Sequence, residues 1–243
     1  MKKYFLSIAT LFLLSLVIGG ANVIADNSDD IDYDQIKEQM RQDGSSERDI
    51  ENVIKKLKDG ETLDSQKLEN ENKAFISNEQ IEEQMKEFNA TEEGIQDQII
   101  RYDDGSYSKV ELEVLDIEKD EIVTQDANGQ FMTIRAKGDD ILTQAEYTAR
   151  LYIDTHTGGS NYIDSVSNYS IRVNIGNYED PNLLISRKTE HRSEGISAKS
   201  YLTFKRVAPA SAVTYYLRVH TGESIGDQYG IWVDFNGKGG SYE

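Results

Sequence analysis

Three alternating segments place rings, guanidinium groups and carboxylates on single strand faces. Arg150, Tyr152 and Asp154 share one parity, as do Tyr216, Arg218 and His220, and as do Trp232 and Asp234. Side chains two residues apart lie on one face of a strand. If the three strands are neighbours in one sheet, Tyr152, Tyr216 and Trp232 form an aromatic row bordered by charge. Flat rings cover the apolar face of a sugar, and guanidinium and carboxylate groups bond its hydroxyls. The candidate ligand-binding residues are therefore Tyr152, Tyr216, Trp232, Arg150 and Arg218, with a cell-wall glycan or anionic polymer as ligand. Tyr and Trp are also good strand formers, so the alternative is a row that serves as the floor beneath another part of the chain.

Other chemistry has less support. His156 and His220 both stand in His-Thr-Gly contexts, with Asp154 two residues before His156, so a metal site or an acid–base pair would need these strand ends to meet. No H-E-x-x-H helix, G-x-S-x-G elbow or phosphate-binding glycine loop accompanies them. Asp30, Asp32 and Asp34 begin like a calcium loop, but Gln35 stands at the turn glycine and Arg41 at the closing glutamate. Asp32 is read instead as a helix cap. No catalytic residue, metal or cofactor is expected.

The elements that must carry these residues are strands. From Tyr107 onward the apolar period is 2, and eight or nine short strands are separated by Gly, Asn and Asp, with Pro181 and Pro209 in turns. This reads as an antiparallel sandwich or open barrel rather than a parallel α/β fold. The expected core faces are Tyr169, Ile171, Val173 and Ile175; Val213, Tyr215, Leu217 and Val219; and Ile231, Val233 and Phe235. Asp139 to Ala145 is read as either a strand connection or a short helical turn.

The N-terminal half has a different grammar. A shift of 45 positions superposes residues 31–60 on 76–105, with Ile31 on Ile76, Ile36 on Ile81, Met40 on Met85, Ile50 on Ile95, Ile54 on Ile99 and Gly60 on Gly105. A fixed period signals a repeated supersecondary unit. Asp32, Ser46 and Ser77 sit at capping positions, and Asp-Gly pairs close the segments, so each copy is expected to be a helical hairpin. Neither copy has enough apolar surface to be stable alone; the hairpins must pack on each other, on the β region or on a protein partner. The stretch MRQDGSSERDIENVIKKLKDGETLDS resembles a short motif of secreted Gram-positive bacterial proteins of uncharacterised function, matching a K-L-x-x-G-E-x-x-D-S pattern at Lys56, Leu57, Gly60, Glu61, Asp64 and Ser65. The resemblance implies a setting and no activity; the second copy keeps only Gly105 of it.

Composition fits an extracellular chain. Met1 to Ala25 has a basic start, an apolar run from Phe5 to Ile18 and small residues before Asp26, the pattern of a cleaved secretory leader. No anchoring tail or sorting motif is read at the C-terminus, so the mature chain is expected to be secreted and extracellular or associated with the wall. Among 243 residues there is no cysteine, which excludes disulfides, thiolate metal sites and Cys nucleophiles. The net charge is -18, and residues 26–105 hold 24 acids against 10 bases. Such a surface repels nucleic acid and anionic bilayers. The stretch 182–206, with Arg187, Lys188, Arg192, Lys199, Lys205 and Arg206, runs against that balance and is read as solvated strands or as an anion-docking strip.

The expected architecture is α+β: a leader over 1–25, an acidic helical repeat region over 26–105, a β-hairpin segment over 106–144 and an antiparallel β-sandwich over 145–243. The function that follows is a secreted, non-catalytic binding protein of the cell envelope or the medium, without nucleic-acid partners or stable membrane insertion. Two rivals are a secreted toxin or bacteriocin-like factor with an acidic pro-region, and a hydrolase using Asp154, His156 and His220.

Overall fold

Long runs of alternating apolar and polar residues form the strands. In chain order these are β1 (Asn72–Ser77), β2 (Ile95–Arg101), β3 (Tyr107–Glu118), β4 (Gly129–Asp140), β5 (Thr143–Asp154), β6 (Tyr162–Val173), β7 (Asn177–Arg187), β8 (Ala198–Ala208), β9 (Ser211–Ile225) and β10 (Gln228–Phe235). The structure is a computed structural model that describes residues 31–67, 72–77, 95–118, 129–154, 160–208, 211–225 and 228–235. The expected leader, residues 78–94 of the second repeat copy, His156 and Pro209 lie outside the described residues.

Two antiparallel five-stranded sheets result. The first is ordered β2-β3-β4-β5-β6 and the second β1-β10-β9-β8-β7. Within each sheet consecutive strands are neighbours, the chain crosses from the first sheet to the second between β6 and β7, and β1 pairs with the last strand. The inner faces share one core, in which Leu112, Ile134, Tyr147 and Leu151 of the first sheet meet Leu202, Tyr215, Leu217 and Val233 of the second. A sandwich of antiparallel strands is therefore present, as its alternation predicts. Residues 31–243 make one compact unit, so the expected boundaries at 105/106 and 144/145 fall inside the first sheet, between β2 and β3 and within β5.

The first repeat copy is the expected helical hairpin, α1 (Tyr33–Gln42) and α2 (Glu47–Lys58). The Asp32 carboxylate accepts from the backbone N–H of Asp34 and Gln35, and the Ser46 hydroxyl accepts from Asp49. Both helices end on a glycine in the left-handed region, Gly44 at φ +77° and Gly60 at φ +72°. The N–H of Ser45 and of Glu61 then reach back to the carbonyls of Met40 and Lys56, closing each last turn. Ile36, Met40, Ile50, Val53 and Ile54 bury the common apolar stripe against Tyr107, Ile141, Leu142 and Ile175, at one end of the sandwich.

The second copy departs from the expectation. Of its described residues, Ile76 and Ser77 end strand β1, and Ile95–Arg101 form strand β2, paired with β3 from Ile95↔Glu113 to Arg101↔Tyr107. Gln98 stands where the first copy has Val53, so the helical stripe is interrupted. The isoleucines suit a strand, and β3 offers hydrogen bonds to alternate residues of β2. Repeated helical hairpins are thus not the architecture of the described residues.

Residues of the K-L-x-x-G-E-x-x-D-S pattern fasten this hairpin. The Lys56 ammonium is 3.0 Å from Asp104 and 3.7 Å from Asp64. The backbone N–H of Asp64 donates to Asp104, and that of Ser65 to the Ser106 hydroxyl. Burial works against ionisation of Asp104, but its bonds from Ser106, the Asp64 backbone and Lys56 hold it below the ordinary carboxylate range.

Candidate ligand-binding face

The structure separates the five predicted site residues. Tyr152 and Arg150 lie on β5 in the first sheet, whereas Tyr216 and Arg218 lie on β9 and Trp232 on β10, in the second. The two sheets share an inner core, so these side chains face away from each other on opposite sides of the molecule. The predicted three-membered row does not exist, because the β5 and β9 segments are not sheet neighbours.

On the second sheet the predicted residues are consumed internally. Trp232 is 8 % exposed and stacks on His220 with centroids 3.6 Å apart and planes 9° from parallel. Arg218, 4 % exposed, bonds Asp234 and lies 4.6 Å over the Tyr216 ring. His220 Nε2 is 3.3 Å from the other Asp234 oxygen, and its Nδ1 is 3.1 Å from the Ser197 hydroxyl. Burial opposes the Asp234 charge, but His220 and Arg218 keep its carboxyl below the ordinary range. Direct cross-strand pairing makes this network: Trp232 opposes His220, and Asp234 opposes Arg218. A buried, mutually bonded set of this kind fixes the sheet and offers little to a ligand.

On the first sheet an aromatic row does form, with different members. Phe131 of β4 opposes Tyr152 of β5, which opposes Tyr162 of β6. The Tyr152 and Tyr162 rings stack at 4.9 Å and 17°, and Phe131 meets Tyr152 edge-on at 5.3 Å. All three are half-buried on the outer face. Gly129 makes the row possible: a side chain there would overlap the Tyr152 ring, so only glycine lets that ring lie across β4.

Arg150 frames the row. Its guanidinium carbon sits 3.6 Å from the Phe131 centroid, a cation–π contact. Its nitrogens donate to Glu118 at 3.0 and 2.7 Å and to Asp164 at 2.8 Å. These bonds, above all those to Glu118, raise its already high pKa. The result is a surface of three contiguous rings edged by one fixed cation and two partly exposed carboxylates. Tyr162 escaped the sequence reading because its register with Tyr152 follows a shift in the β5–β6 pair; Phe131 faces Tyr152 in the unbroken β4–β5 register, which strand parity alone does not give.

The basic stretch 182–206 forms β7 and β8 with the connection between them. Arg206 is 2 % exposed and turned into the sandwich, on the side of Asp140, so it does not belong to any docking strip. Asp140 accepts from the backbone of Leu142 and Thr143, forming the β4–β5 turn in place of a helical one, and from the Tyr215 hydroxyl. Of the residues in the hydrolase reading, Asp154 and His220 stand on different sheets, and His156 lies outside the described residues. No group of three or more His, Asp or Glu suited to a metal occurs among the described residues.

No family model matches the chain, and no curated protein matches it. A crystal structure of the hypothetical protein lmo2686 from Listeria monocytogenes EGD-e has 14 % identity and a TM-score of 0.33, over 58 % of this chain and 93 % of that one. A likeness at that level carries no argument about fold or function.

Proposed function

We propose that the chain is a secreted, non-catalytic binding protein of the Gram-positive cell envelope, and that it holds a wall glycan against Phe131, Tyr152 and Tyr162. The observation that carries this reading is the direct cross-strand succession of the three rings on β4, β5 and β6. Contiguous rings give a sugar a flat apolar surface. Arg150, Glu118 and Asp164 stand beside them as donor and acceptors for hydroxyls. The leader-like Met1 to Ala25 supports export, and among the described residues no helix is long and apolar enough to cross a membrane.

Co-sedimentation of the purified mature chain with insoluble peptidoglycan and with wall polysaccharide tests the reading. Binding to one of these polymers, lost on Tyr152→Ala with melting temperature preserved, is the expected result. Retention of Tyr152→Ala on the polymer, or failure of the wild type to bind either one, would overturn it.

A further inference from the structure

A second, polar cleft opens at the far end of the same sheet. Asp139 is eight residues along β4 from Phe131, roughly 26 Å at about 3.3 Å per residue. There α1 crosses the ends of β3 to β6 and leaves a space of about 430 Å³. Amides line it from both sides: Gln35, Gln39 and Gln42 from the helix, and Gln144 and Asn174 from the sheet. Three cations, Lys109, Lys137 and Arg172, border it in a chain whose net charge is -18.

The acids of the cleft are already committed and the cations are less so. Asp43 accepts from the Tyr107 hydroxyl, and Glu38 from the Gln42 amide at 3.3 Å. Asp139, 8 % exposed, accepts from Gln144 at 3.1 Å and from Gln39 at 3.5 Å. Lys109 and Lys137 share a single carboxylate, that of Glu111, at 3.5 and 3.9 Å. Arg172 opposes Gln144 across the β5–β6 pair and has no ion pair among the described residues.

We infer that this cleft is a binding site for a sugar acid, a polyhydroxy ring bearing one carboxylate. A guanidinium with no ion pair among the described residues matches a carboxylate with two parallel bonds. Amides both donate and accept; beyond the bonds of Gln39, Gln42 and Gln144 to the acids and of Asn174 to Gln39 and the Ile141 carbonyl, their remaining polar atoms and those of Gln35 suit a ring of hydroxyls. Glu38 and Asp43 border the same space, and their charge disfavours a dianion such as a phosphate monoester. Burial beside Asp140 and Asp43 pushes the Asp139 carboxyl up, which removes a third repulsive charge in mildly acidic medium. The site stands apart from the aromatic row and does not depend on it.

Saturation-transfer NMR on the full mature chain tests this with three probes: D-glucuronate, D-glucose and inorganic phosphate. Glucuronate is expected to bind at millimolar concentration and the other two to bind at least tenfold more weakly. Arg172→Ala, at an exposed position, is expected to weaken glucuronate about tenfold with melting temperature unchanged, and Gln144→Ala to weaken it as well. Tyr152→Ala, which removes the aromatic row, is expected to leave glucuronate binding intact. Absence of glucuronate binding, equal binding of glucose, tighter binding of phosphate, or full binding by Arg172→Ala would each overturn the inference.

Discussion

Asp139 and Trp232 illustrate what burial does to single side chains. Desolvation, with Asp140 and Asp43 nearby, pushes the Asp139 carboxyl up to about 7, against about 3.9 in an unfolded chain. Between those values the folded state holds a proton that the unfolded state has lost, so stability falls as pH rises from about 4 to about 7 and levels off above. Asp140, raised to about 6 by its own burial, adds to the same slope. Asp139→Asn is therefore expected to stabilise the protein at pH 8, by at most about 4 kcal/mol, with little effect at pH 4. Urea unfolding at the two pH values measures this; an equal effect at both would contradict it. Trp232, the single tryptophan, is stacked and 8 % exposed. Its emission is expected to be blue-shifted and unchanged on adding wall polymer, and a red emission quenched by polymer would contradict its placement. Parity assigns Trp232 a strand face, whereas Asp139 opens a segment that reads as a strand connection or a helical turn; the burial of neither is legible, because an outer face is covered or open according to elements elsewhere in the chain.

At the level of elements, periodicity read the second sheet well. Tyr215, Leu217, Val219, Ile231, Val233 and Phe235 are all in the core, as alternation predicts. It failed in β6, where Asn168 takes φ +53° and the register with β5 shifts between Glu146 and Thr148. That extra residue breaks the phase, so Tyr169 is exposed while Ile171 packs on the core. Pro181 lies within β7 rather than in a turn; β7 is an edge strand, beside a shift in register at Glu179/Asn182, where a missing N–H disturbs no ladder. The first helical hairpin was legible because caps, stripe and terminal glycines agree. The second copy repeated the residues but not the stripe, and strand pairing took over. Since the hairpin holds to the sandwich mainly through its buried stripe, Ile50→Ala is expected to cost about 2 to 5 kcal/mol and Ser46→Ala about 1 kcal/mol. Denaturant midpoints would measure both, and an Ile50→Ala midpoint equal to wild type would contradict the docking.

For the whole molecule, the division of labour between the two sheets is the feature that sequence could not supply. Parity placed Tyr152, Arg150, Tyr216, Arg218 and Trp232 on outer faces correctly, but strand order sent them to opposite sides. The second sheet spends its rings and charges on one another, in the Trp232–His220 stack and the Arg218–Asp234 pair. The first sheet gathers Phe131, Tyr152 and Tyr162 into a row and carries the amide-lined cleft at its other end. The ligand binding we propose therefore belongs to one face of the molecule. Co-sedimentation of paired variants with wall polymer addresses this most directly. Phe131→Ala and Tyr162→Ala are expected to lose binding, while Tyr216→Ala, on the opposite face, keeps it. Loss of binding by Tyr216→Ala alone, with the two first-sheet variants retained on the polymer, would contradict the account.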